Sequence, residues 1–284
     1  MRALVLTASL LSVLVACAQT GGPGTTGATP SSTSPTPTST LPPVVDCPGE
    51  GEFEEGGGIA DLDGSGSDSA RLGRVSWETS DRCETFNFDF ETSEGAPATT
   101  TPDVSVDHLE SFQVIRVSID VESSVVIDQI VETGLVDRLY VVRALEGGMF
   151  VDLHLAAPAA ARATALTSPA RLSLELRPGF VPIEGSSTHS GEVVLISPTA
   201  EAEIAPSTEL MGYARTTEGS LLIVVTQAGT LVAETSTATA DATGAWGEFR
   251  VELTLPPGEV SVFAGERNPE DDSLDGLTID FSVS

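Results

Sequence analysis

The chain has 284 residues, with 42 acidic side chains against 13 basic ones and a formal net charge of −29. Every basic residue other than histidine is arginine. A surface this acidic repels polyanions, which excludes nucleic acid and an anionic membrane surface as electrostatic partners.

An apolar run over residues 5–17 follows Arg2 and closes on Leu14-Val15-Ala16-Cys17, the layout of a secretory signal. The run is too short to cross a bilayer, which takes roughly 20 apolar residues. The tetrapeptide resembles the lipobox of bacterial lipoproteins. That resemblance implies a signal peptide over 1–16, a diacylglyceryl group on Cys17, and a protein held to the outer face of the cell membrane. Two acyl chains, at about 0.8 kcal/mol per buried methylene, give a durable anchor. Ordinary secretion with a cysteine beside the cleavage point is the alternative, and the small Ala16 favours lipidation. Residues 17–46 are dominated by Gly, Ser, Thr and Pro. Such a composition cannot bury enough apolar surface to offset its ordering entropy, so it predicts a disordered tether. Its reach, if extended, is on the order of 80 Å.

With Cys17 set aside, Cys47 and Cys83 form an even pair in a chain bound for an oxidising compartment, and a disulfide between them is expected. In the loop-entropy account it constrains the unfolded chain by about 3–4 kcal/mol. Asp61, Asp63 and Asp68 then alternate with Gly64 and Gly66, oxygen donors around tight bends as a calcium loop needs. Ser65 stands where a third acid is expected, and no bidentate Glu follows. The simpler reading is an acidic turn, so no metal or cofactor is assigned.

From Cys47 to Pro178 the pattern is one of strands. Phe86-Asn87-Phe88-Asp89-Phe90 alternates, as does Arg171-Leu172-Ser173-Leu174-Glu175-Leu176-Arg177. Gly147-Gly148, taken as a two-residue turn, predicts a hairpin in which Leu145 faces Phe150, Arg143 faces Asp152 and Val141 faces His154. Arg143, Asp152 and His154 then form either a polar site or, more simply, an ion pair that fixes register. An alanine-rich stretch over 157–166, with Pro158 in its first turn, predicts a short helix.

Val136-Asp137-Arg138-Leu139-Tyr140-Val141-Val142-Arg143, Phe150-Val151-Asp152-Leu153-His154-Leu155 and Ser168-Pro169-Ala170-Arg171 resemble the AMIN-like domain of actinobacterial lipoproteins over roughly residues 70–180. The resemblance implies a small β-sandwich in the envelope. The related AMIN domain targets proteins to envelope sites and can bind peptidoglycan, but no binding residue carries over.

Gly185, Ser186 and Ser187 mark a linker over 181–190 between domains at 47–180 and 191–284. Short strands spaced by turns follow, the signal of a second sandwich. Ser197-Pro198, Gly212-Tyr213-Ala214, Glu218-Gly219, Gly244-Ala245-Trp246-Gly247-Glu248-Phe249 and Ile279-Asp280-Phe281-Ser282-Val283 resemble the Gmad2 domain, which is immunoglobulin-like and occurs in spore-germination and other envelope proteins. Trp246 reads as a core or rim anchor before a recognition aromatic. Glu270-Asp271-Asp272 reads as a solvated loop.

His108, His154 and His189, read as lying on a strand edge, a strand and the linker, lack metal-ligand spacing to one another or to a cysteine. No nucleophile elbow, phosphate loop or HExxH is present, and no catalytic residue is assigned. The expectation is an all-β protein of two small sandwiches. Its expected role is that of a non-enzymatic, lipid-anchored envelope binding or targeting module. Its candidate partners are peptidoglycan or another envelope protein, with a protein scaffold and calcium-dependent adhesion as the other readings.

Overall fold

The computed structural model describes residues 47, 49–80, 82–180, 185, 187–200, 202–268 and 270–284. The signal segment, Cys17 and the tether lie outside the described residues. In chain order the N-terminal strands are β1 (Gly57–Leu62), β2 (Arg71–Thr79), β3 (Glu84–Glu91), β4 (Val104–Leu109), β5 (Val114–Ile119), β6 (Ser123–Ser124), β7 (Asp128–Ile130), β8 (Val136–Arg143), β9 (Met149–Leu155), β10 (Ala159–Leu166) and β11 (Arg171–Pro178). They continue as β12 (Thr188–Ser190), β13 (Val193–Ser197), β14 (Glu203–Ile204), β15 (Ser207–Arg215), β16 (Ser220–Gln227), β17 (Thr230–Ala238), β18 (Trp246–Thr254), β19 (Gly258–Arg267) and β20 (Leu274–Val283). The protein is all-β, as its patterning predicts.

Two five-stranded sheets, β10-β11-β3-β2-β6 and β14-β20-β19-β16-β17, cover opposite halves of a ten-stranded sheet ordered β1-β4-β5-β9-β8-β18-β15-β13-β12, with β7 also on β8. The alternation in β3 buries Phe86, Phe88 and Phe90 against Val106, Val117 and Val151 of the long sheet, forming the N-terminal core. Phe249, Phe281, Leu221 and Val262 belong to the C-terminal core. The expected disulfide joins Cys47 to Cys83 across 36 residues.

The two sandwiches are not separate beads. β8 pairs in parallel with β18 through Val142–Trp246 and Arg143–Gly247, so one sheet runs through both. Leu139 and Val141 face the N-terminal core, and alternation turns Tyr140 and Val142 to the other face. There they meet Phe150, Val194, Ile196, Tyr213 and Trp246 in a third apolar cluster. Strands buried on both faces lose the polar alternation of a solvated sheet, which is why Tyr140-Val141-Val142 and Val193-Val194-Leu195-Ile196 read as continuous apolar runs.

Three expectations need correction. Residues 157–166 are not helical, because β10 pairs with β11 along its whole length and sets Arg162 opposite Glu175. Alanine here serves close packing: Ala159, Ala160 and Ala161 are all buried. The β8–β9 register also differs, with Arg143 facing Met149, Tyr140 facing Asp152 and Arg138 facing His154. The connection uses Ala144 to close a longer loop through Gly147 N–H, with Gly147 and Gly148 at φ of 98° and 70°. An odd shift moves every side chain to the other face, so Arg143 and Asp152 never meet. Finally, the linker contains β12, which pairs with β13 and places His189 opposite Val194.

Candidate functional site

Two places concentrate polar chemistry, a buried seam between the sandwiches and an open groove at one end of the N-terminal one. The seam is built by the outward faces of β5, β8, β9, β15 and β18. Asp152, fully buried, accepts from Arg116 Nε at 2.8 Å and Nη2 at 2.7 Å. Burial pushes the Asp152 carboxyl above its ordinary value, and Arg116 opposes that shift. The guanidinium also lies 3.8 Å from the centre of the Phe150 ring. Arg143 pairs instead with Asp241 at 3.2 Å. Burial works against the Asp241 charge, yet hydrogen bonds from Thr243, Arg143 and Ala245 hold its carboxyl below the usual range.

His154 lies at the centre. Its Nε2 meets the Tyr213 hydroxyl and its Nδ1 lies 2.7 Å from Ser187 Oγ. Burial, reinforced by the neighbouring His189, Arg138 and Arg116, lowers its pKa to about 3. Burial also holds the Tyr213 phenol well above its usual value, so it stays protonated. The chain Ser187–His154–Tyr213 has the connectivity of a nucleophile, a base and an orienting group. The low basicity of the buried imidazole works against proton transfer from serine near neutrality. What the chain does is couple the N-terminal sandwich to the segment that leads into β12. Trp246 completes the seam, nearly edge-on to Tyr140 with centroids 5.0 Å apart, and donates from Nε1 to Asp128 at 3.3 Å. It is 3% exposed, an anchor and not a recognition aromatic.

The groove has a volume of about 860 Å³, within the range of ligand sites. Trp77, Leu135, Pro158 and Pro178 give it apolar walls, and Arg82, Glu132 and Thr133 supply polar groups. Trp77 is held by Phe86, with ring centroids 6.2 Å apart. Glu84, buried beneath, accepts from Thr133 Oγ1 at 2.5 Å and from the Leu135 N–H at 2.9 Å. That carboxylate fixes the rim loop, in which Glu132 takes the left-handed φ of 51°. The Cys47–Cys83 bond ties down the same end.

The remaining expected sites are dispersed. Asp61 pairs with Ser105 in the β1–β4 ladder and Asp63 accepts from the Ser65 N–H at 2.8 Å. Asp68 accepts from the N–H groups of Thr100 and Thr99 and from the Thr99 hydroxyl, and the backbone donors lower its pKa. Its carboxylate serves as a loop clasp. His108 lies on β4, which is flanked on both sides and is not an edge, and its Nδ1 is 2.9 Å from the Glu55 carbonyl. Asp271 accepts from Ser273 within its own turn, in an exposed loop. Sequence reasoning missed Arg116, Tyr213, Ser187 and Trp77. Only Trp77 left a signal, as a large aromatic at the end of a strand that its neighbours cannot cover.

Residues 192–273 match the family model of Gmad2, described as an immunoglobulin-like domain of bacterial spore germination. The match falls on the C-terminal sandwich and ends just before β20. No curated protein matches the chain.

Proposed function

We propose that this chain is a lipid-anchored binding module of a bacterial envelope, held through Cys17 on the outer face of the membrane and presenting the Trp77 groove to wall material, with peptidoglycan as the favoured ligand. The reading rests on the leader ending in Leu14-Val15-Ala16-Cys17, on the disulfide and on the AMIN-like motifs of residues 70–180. The immunoglobulin-like match of residues 192–273 fits a binding role without chemistry of its own. The observation that carries the proposal is the groove. A partly exposed indole beside proline walls, with Thr, Arg and Glu at the rim, suits a sugar–peptide strand that needs an apolar platform and hydrogen bonds. With a net charge of −29 against an anionic wall, binding relies on those short-range contacts and not on the long-range field.

The test is co-sedimentation of the Cys17→Ser chain with protein-free peptidoglycan across a salt series. Saturable binding that persists as salt rises, and that falls by about tenfold in Trp77→Ala, is the expected result. Binding unchanged by Trp77→Ala removes the groove as the site, and no binding at any salt removes peptidoglycan. Membrane fractionation checks the anchor, because Cys17→Ala is expected to release the protein from membranes.

A further inference from the structure

Beyond Leu72, one side of the β2 backbone has no partner among the described residues. On that side β6 pairs only Arg71 and Leu72, and the Val125 N–H closes the pairing on the Leu72 carbonyl. The chain then leaves for β7 in the opposite sheet. At the other end Ser80 N–H bonds the Cys83 carbonyl across the β2–β3 hairpin. Hydrogen bonds of an antiparallel strand alternate sides, so Glu78, Ser76 and Arg74 bond β3, while Val75, Trp77 and Thr79 aim N–H and C=O outward. The bulge between Leu72 and Arg74 accounts for the change of parity from Leu72.

The open edge is bordered by apolar surface. A cavity of about 500 Å³ lies between Gly73, Val75 and Trp77 of β2 and Val125, Val126 and Gln129. Nearby, Val125 and Ile130 are 58% and 60% exposed. Gln129 Oε1 is buried there without a hydrogen-bond partner. A long bare edge beside apolar surface invites strand addition.

We propose that this edge pairs antiparallel with the same edge of a second copy, about a two-fold axis through Ser76. The segment Arg74-Val75-Ser76-Trp77-Glu78 is complementary to itself about that residue. With Ser76 opposite Ser76 of the second copy, Arg74 faces Glu78 of the second copy, and the two-fold repeats the pair. Val75 faces Trp77 of the second copy, and these are the residues whose N–H and C=O point outward, so the facing pairs coincide with the hydrogen-bonded ones. Both charges are available. Arg74 and Glu78 are exposed and, among the described residues, neither is in an ion pair. Asp89, opposite Arg74 on β3, is taken by Arg171 at 2.6 Å. Centring on Trp77 instead sets both charges against serines. Centring on Val75 drives Glu78 onto Leu72, where β6 already lies. An isologous contact of this kind closes as a dimer and goes no further.

A single cysteine reads the register. Two Ser76 positions facing in a non-hydrogen-bonded pair have Cα atoms about 4.5 Å apart, within disulfide reach. Two Glu78 positions are offset by about 14 Å and are not. In the Cys17→Ser chain, Ser76→Cys is expected to give a covalent dimer on non-reducing gels, at least about tenfold more than Glu78→Cys. Sedimentation equilibrium of the Cys17→Ser chain without these cysteines is expected to show a monomer–dimer equilibrium. Arg74→Glu, which sets like charges opposite each other twice, is expected to weaken it by about tenfold. The double change Arg74→Glu with Glu78→Arg is expected to restore it. Folded Ser76→Cys protein that stays monomeric, or that crosslinks no better than Glu78→Cys, overturns the proposal. So does a double variant that remains as weak as Arg74→Glu. Peptidoglycan binding is read separately, so the two proposals stand or fall apart.

Discussion

The N-terminal sandwich holds an ion pair with both partners out of water, whereas the buried carboxylates of the C-terminal one, Asp241 and Glu248, pair with arginines that reach solvent. In the first, Arg162 and Glu175 pair at 2.5 Å with 8% and 6% of their side chains exposed, and Arg162 also donates to the Gly51 and Cys47 carbonyls. The guanidinium covers the Phe53 ring as well, at 4.4 Å. Around the second core, besides those two carboxylates, lies the neutral hydroxyl pair Thr216–Thr239 at 2.9 Å, which closes onto the Asp241 carbonyl. The difference matters because an ion pair out of water must be complete. Removing one partner strands the other charge, whereas a neutral pair loses only a modest net interaction. The first sandwich therefore gains order from a contact that punishes incompleteness, with a disulfide beside it, while in the second the charged partners of the buried carboxylates keep access to water.

The sharpest way to break that contrast is to truncate one partner in each half. Glu175→Ala is expected to cost about 3–5 kcal/mol in urea unfolding, by leaving Arg162 buried and unpaired. Thr216→Val should cost no more than about 1–2 kcal/mol. Equal costs would mean that Arg162 finds water or another acceptor. Next in size is the staple. Replacing Cys47 and Cys83 by Ser is expected to remove about 3–4 kcal/mol. Hydrogen exchange should place the loss of protection in β2, β3 and β10, with β16 and β19 spared. Loss of protection in both halves would make the shared sheet a single cooperative unit.

A smaller effect comes from the seam. An unfolded histidine titrates near 6.5 and His154 in the folded chain near 3, so between these values the unfolded state takes up a proton that the folded state refuses. This contribution is complete above pH 6.5 and is lost as pH falls towards 3. Because His154 is half-buried and not sealed from water, solvent moderates the loss to about 2 kcal/mol. The difference between the pH–stability curves of the parent and His154→Gln isolates it, and parallel curves would show that His154 is not held neutral by the seam. Smallest is the exposed pair Arg267–Glu234 at 3.3 Å, 41% and 45% exposed. Arg267→Ala should change the melting temperature by an amount worth less than about 0.5 kcal/mol.

Much of the fold was legible because alternation in a half-buried strand writes itself into sequence. Phe86, Phe88 and Phe90, like Leu172, Leu174 and Leu176, declare an inner face whatever lies beyond it. The disulfide followed from the even pair that remains once Cys17 is set aside. The errors have particular causes. Gly147-Gly148 satisfies a two-residue turn on paper, and a three-residue error in the pairing sum moved Arg143 away from Asp152. Ala159 to Ala161 favour a helix by propensity, yet the free edge of β11 and the charge of Glu175 demanded a strand. The groove was hidden because Trp77 and Arg82 of the β2–β3 hairpin meet Glu132 and Pro158 of later connections only at one end of the sandwich.

The sequence alone determined local matters: most of the strands, which face of each is apolar and which cysteines pair, since these depend on neighbours two to four residues apart or on counting. Tertiary structure alone decided that β8 and β18, separated by about a hundred residues, pair through Val142 and Trp246 and turn two sandwiches into one sheet. It also decided that Asp152 belongs to Arg116 and Arg143 to Asp241. Charges seek the nearest partner in space, and a contact between strands distant in sequence leaves no periodic trace along either one.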